Sequence, residues 1–153
     1  MKKIIIGAVA ALVLLGGGGG GAVAYLHMHR HAGPPKPPPP KPLLFAVLDN
    51  LVVSVPADST GQSGQAYVQF AVEFASTNPN ALTSFNALQP IIKAKTIDLL
   101  LTQNARQLMN PSTHPALAKN CLAIANQVLS QSAAFTPANP FTAAYITNIV
   151  EQD

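Results

Sequence analysis

Residues 67–75 read Tyr-Val-Gln-Phe-Ala-Val-Glu-Phe-Ala, and their alternation decides the fold. Val68, Phe70, Val72 and Phe74 fall on one side, and Tyr67, Gln69, Ala71, Glu73 and Ala75 on the other. Side chains of a strand point to opposite faces with a period of two, so this is an antiparallel strand with one buried face. Glu73 is expected on the solvent side, a lone carboxylate with no partner for acid–base work. Working upstream, residues 57–65 hold Gly61 and Gly64 among Asp, Ser, Thr and Gln, the signature of a hairpin loop. Before that loop, residues 43–55 are apolar except for Asp49-Asn50, which predicts a strand near Leu51–Val55.

Downstream the period changes. Asn78-Pro79-Asn80 is a helix start signal, and Leu82, Phe85 and Leu88 recur at helical spacing to about Gln89. Pro90 should break, kink or restart that helix. Ile91–Leu101 is apolar enough to be largely buried, with Lys93, Lys95 and Asp98 as exceptions. Residues 103–109 suggest a short helix ended by Asn110-Pro111. Ala116–Ser130 is the clearest helix. Leu117, Cys121, Ile124 and Val128 form an apolar stripe widened by Ala118, Leu122, Ala125 and Leu129, opposite Lys119, Asn120, Asn126 and Gln127. Leu117, Cys121, Leu122, Ile124, Val128 and Leu129 are thus the expected core residues of this helix, and Leu122→Asp is expected to unfold the domain. Cys121 on that stripe reads as a packed small hydrophobe rather than a nucleophile. Residues 135–140 read as a loop, and Phe141–Val150 as a final strand. Strand, strand, helices, strand is the order of an α+β domain, helices against a small antiparallel sheet.

The chain has 153 residues, with nine Lys and Arg against six Asp and Glu. Residues 1–42 carry Lys2, Lys3, Arg30, Lys36 and Lys41 and no acid; the remainder carries four basic residues against six acids. The basic balance belongs to the N-terminal arm, so residues 43–153 are not expected to bind nucleic acid, which needs clustered basic side chains.

Ile4 to Leu26 is uncharged, and as a helix its 23 residues would span about 34 Å, against roughly 30 Å of bilayer hydrocarbon. Ile4 and Leu26 are therefore the expected ends of a membrane anchor, with Lys2 and Lys3 holding the N-terminus in the cytoplasm. A cleaved signal peptide is the competing reading, since Ala22-Val23-Ala24 fits the small-residue cleavage pattern. Retention is favoured by the length of the uncharged run and by the tether that follows it. Both readings export the rest of the chain. Residues 1–26 thus form the cytoplasmic start and span, 27–42 a linker, and 43–153 the exported domain.

In the linker, His27, His29 and His31 are the candidate metal ligands. Without a fixed scaffold, and with Arg30 among them, a solvated juxtamembrane tract outweighs a metal site. Pro34–Pro42 holds seven prolines in nine residues and reads as a semi-rigid polyproline II spacer. No catalytic residue, cofactor site or metal site emerges from the domain. It lacks a Gly-rich phosphate loop, a Cys or His pair at metal spacing, and Gly-x-Ser-x-Gly. By pattern alone it is an anchored extracytoplasmic interaction domain.

The second half also resembles a known family. Leu100-Leu101-Thr102 followed by Leu108, Pro111 and Leu117 resembles the "LLS…LLTPEGKEAL" run of the flagellar basal-body FliL family. Pro90-Ile91-Ile92-Lys93 is similar to that family's Pro-x-apolar-basic step. Ala125–Leu129 resembles its "IN.VL" helix end, and Tyr145–Gln152 its C-terminal "YFT.FVVQ" strand. The plan of short start, span, linker and domain matches as well. The chain departs from the pattern at Thr113, where Gly is usual, at Ala94, where an acid is common, and in a long 130–140 loop. The resemblance implies a periplasmic domain with a stomatin/SPFH-like fold on a single inner-membrane span. It also implies self-association into a ring around the flagellar stator units at the basal body, supporting torque for swimming or swarming, without enzymatic catalysis. The alternative is a generic membrane-anchored envelope-binding module.

Overall fold

Alternating apolar residues on both sides of the hairpin glycines build the centre of the domain. The computed structural model describes residues 37–62, 64–132 and 139–152. β1 (Leu44–Pro56) pairs antiparallel with β2 (Gln65–Ser76), and β3 (Ala143–Gln152) pairs antiparallel with the other edge of β2. The sheet order is β1-β2-β3. Gly61 (φ 67°) and Gly64 (φ 86°) take the left-handed backbone of the turn, where a side chain would be strained. Asp58 stiffens the loop by accepting from the Thr60 amide at 2.9 Å and the Gly61 amide at 3.1 Å.

β1 is longer than the 51–55 strand expected from sequence. Asp49 and Asn50 do not end it; they form a bulge between Leu48 and Leu51, with Asn50 left-handed at φ 55°. One extra residue keeps Ala46, Leu48, Leu51, Val53 and Val55 all on the buried face. A second irregularity, at Thr147 of β3, likewise keeps Ile146 and Ile149 toward the core.

Helix α1 (Pro79–Leu101) begins at Asn78, whose side chain accepts from the Asn80 amide at 3.0 Å. It then runs through Pro90 without ending. The proline lies on the exposed side of the helix, where its ring and the missing N–H are tolerated more readily than against the sheet. Ile92, Thr96 and Leu100 are buried, but Ile91 and Leu101 are 43% and 50% exposed. The apolar run 91–101 is thus not largely buried as expected. It wraps the whole circumference of a helix that has only one face against the sheet.

The short α2 (Ala105–Leu108) is closed by a reciprocal Asn104–Gln107 capping box. A 3₁₀ turn at Pro111–Thr113 leads into α3 (His114–Ser132). The His114 ring hydrogen-bonds the Leu108 carbonyl at 2.8 Å, tying the two helices together. α1 and α3 cover one face of the sheet. Phe74, Phe85 and Phe141 meet between the layers with ring centroids 5.5–5.7 Å apart.

On α3, Leu117, Cys121, Ala125, Val128 and Leu129 are buried, while Leu122 and Ile124 are only half-buried. Asn126, assigned by pattern to the polar face, is 7% exposed. It donates to the Phe141 carbonyl at 3.0 Å and accepts from the Phe141 amide at 2.9 Å. Burial pushes the Cys121 thiol up to about 12. Contacts divide the chain into two units, Met1–Pro40 and Lys41–Asp153, and every element described here lies in the second.

Candidate functional site

A two-layer domain with helices on one side of its sheet leaves two broad outer faces. On the sheet, register and pleat place Phe45, Val47 and Val52 of β1 outward, with Tyr67, Gln69, Ala71 and Glu73 of β2 and Tyr145, Asn148 and Val150 of β3. The large apolar residues of this face stay open to solvent, from 42% for Val150 to 61% for Val52. Phe45 and Tyr145 approach to 6.4 Å across the middle strand. The small Ala75, paired with Phe45 on one side and Ala143 on the other, is 1% exposed although it points away from the core.

Among the described residues, Glu73 is the only charged side chain at the centre of this face. Its neighbours in register are Val47 and Tyr145. It is half-buried and makes no hydrogen bond or ion pair among the described residues. Sequence reasoning put Glu73 on the solvent side; the side chains flanking it on β1 and β3 required the register.

The opposite face is the outer side of the helix layer. Ile91, Ala94, Lys95, Asp98 and Leu101 lie exposed along α1. Lys95 and Asp98 border an open groove of about 330 Å³ between α1 and α3, whose floor includes Leu99 and Ile124. Lys93 is engaged elsewhere. Its ammonium donates to the Asn50 carbonyl at 3.3 Å while Gln89 donates to the Val47 carbonyl at 3.3 Å, so both side chains occupy the outer edge of β1. That protects a bulged edge strand from pairing with another chain.

Other recesses offer less. The one beside the hairpin, about 370 Å³, brings together Asp58, Arg106 and Glu151, with Asp58 already held by Thr60 and Gly61. Among the described residues there is no group of three His, Cys, Asp or Glu placed to hold a metal. His27, His29 and His31, and the anchor ends Ile4 and Leu26, lie outside the described residues. No helix among the described residues is long and apolar enough to cross a membrane. The residues that matter structurally but escaped the sequence reading are Asn126 and Phe141. The available signal was that Asn126 lies four residues after Leu122 and three before Leu129, on the flank of the apolar stripe.

Residues 45–152 match the model of a family described as flagellar basal body-associated protein FliL. The match begins within β1 and ends with β3, so it takes in almost all of the sheet and every helix among the described residues. No curated protein matches the chain.

Proposed function

The chain belongs to the flagellar basal body-associated FliL family, and from that premise we propose that it is a non-enzymatic accessory of the flagellar motor. In this reading Ile4–Leu26 anchors it in the inner membrane, and the Pro-rich linker holds the domain at a defined height in the periplasm. Copies assemble into a ring around stator units, with a stomatin/SPFH-like domain, and support stator engagement and torque. The observation that carries the reading is the family match spanning the folded domain from β1 to β3. Two outer faces with exposed apolar side chains support an interaction role for that domain.

Deletion of the gene tests the proposal. Flagella should still assemble, while swimming or swarming is reduced, most strongly under load. Deleting Pro37–Pro40 should act similarly by shortening the spacer by roughly 12 Å at about 3.1 Å per residue. Unchanged motility in the gene deletion would remove the motor role and leave an envelope-binding module.

A further inference from the structure

The two outer faces differ in character, and the difference is complementary. The sheet face is apolar around one unpartnered acid, Glu73. The α1 stripe carries Lys95 and, one turn on, Asp98, among the apolar Ile91, Ala94 and Leu101. Because one face belongs to the sheet and the other to the far side of the helix layer, the two point away from each other.

We propose that copies of this chain associate head to tail, the outer sheet face of one copy seating the exposed α1 stripe of the next, with Glu73 paired to Lys95 of that neighbour. The proposal rests on the ring reading above and names the surfaces that would form it. A contact between two different faces repeats around a rotation axis and closes into a ring when the rotation allows. The alternative of two sheet faces meeting across a two-fold axis would bring Glu73 toward its own copy. Like charges brought together while losing water are strongly disfavoured. Asp98, one turn beyond Lys95, fixes the register, since sliding the stripe by that turn would set it against Glu73.

The available area explains why such an interface would need help. Three strands about 4.8 Å apart and some ten residues long at about 3.3 Å present roughly 500 Å². A standard stable interface buries about 800 Å² on each partner. Association through this face is therefore weak in dilute solution and is raised by confinement of the anchored chain to one membrane.

The test uses the full chain in its native membrane. Neither Glu73 nor Lys95 lies in the core, and Cys121 is fully buried, so introduced cysteines react alone. The pair Glu73→Cys with Lys95→Cys, treated with a short bismaleimide, should give a ladder of dimers, trimers and larger species. Neither single variant should do so. On native gels, Glu73→Lys and Lys95→Glu should each lose the oligomer, and the two together should restore it. A crosslinked dimer from Glu73→Cys alone would overturn the proposal in favour of a two-fold contact. An oligomer of the unaltered protein with no ladder from the cysteine pair would place the contact elsewhere while leaving the ring reading intact. A protein that stays monomeric in membranes by every measure would remove both. Melting curves on each variant separate lost association from lost folding.

Discussion

Removing the Asn126 side chain should destabilise the domain far more than its polar identity suggests. The amide makes two hydrogen bonds to one residue, donating to the Phe141 carbonyl and accepting from the Phe141 amide. Phe141 is itself 1% exposed and stacked with Phe74 and Phe85. In Asn126→Ala both Phe141 backbone groups lose their partner in a site with little access to water. A buried polar group left unsatisfied costs about 1–3 kcal/mol, so the pair is worth about 2–6 kcal/mol. For a domain of this size that corresponds to a fall in Tm of roughly 8–24 °C. Asn120→Ala, on the exposed side of the same helix, should stay within about 0.5 kcal/mol. Asn126→Asp adds a pH signature. Its carboxylate can still accept from the Phe141 amide but faces the Phe141 carbonyl, and burial raises its pKa above the free value of about 3.9. The protonated acid can donate to that carbonyl. Relative to wild type, this variant should therefore recover stability as pH falls from 7 toward 4, and lose it as pH rises through the raised pKa. Thermal melts of the four proteins at both pH values decide the matter. An Asn126→Ala protein melting within about 2 °C of wild type would refute the reasoning, as would an Asn126→Asp protein without recovery in acid.

Other expectations follow from burial and helix chemistry. Leu129→Asp places a carboxylate in a fully buried position and should unfold the domain, whereas Leu122→Asp, at a half-buried one, should leave it folded with a lowered Tm. Far-UV circular dichroism distinguishes the two. Because the folded Cys121 thiol is pushed up to about 12 from an ordinary 9.0, the unfolded chain loses its proton first. Stability should fall as pH rises from about 9 toward 12, and Cys121→Ala should lack that component; maleimide should label Cys121 only after denaturation. Pro90→Ala restores an N–H donor on the exposed side of α1 and should stabilise the protein by about 1–3 kcal/mol, read as a higher Tm. The intact mass of protein purified from membranes should correspond to a chain that retains Ile4–Leu26; a product beginning at Tyr25 would show cleavage.

What local sequence determined about this protein is what depends on near neighbours. The alternation at 67–75 defined β2 because period two has no other regular solution. Gly61 and Gly64 marked the hairpin because the turn needs left-handed backbone, and the α3 stripe was plain from helical spacing. The order of these elements was enough for an α+β domain, and the spacing of Leu100-Leu101, Pro111 and Tyr145–Gln152 was enough to suggest the family. The remainder was settled by contacts between distant residues. Asp49-Asn50 looked like a strand end, but pairing with β2 on both sides absorbs them as a bulge. Pro90 looked like a break, yet the helix continues because the proline lies on the exposed side. Ile91 and Leu101 looked buried, but one helix face is all the sheet can cover. Asn126 looked exposed until Phe141, fifteen residues away, supplied the two backbone partners that make its burial favourable. Glu73 was legible as a solvent-side carboxylate; only the register of three strands set it between Val47 and Tyr145. Period and propensity act over a few residues, whereas burial and partnership depend on which segments meet, and the folded structure decides that.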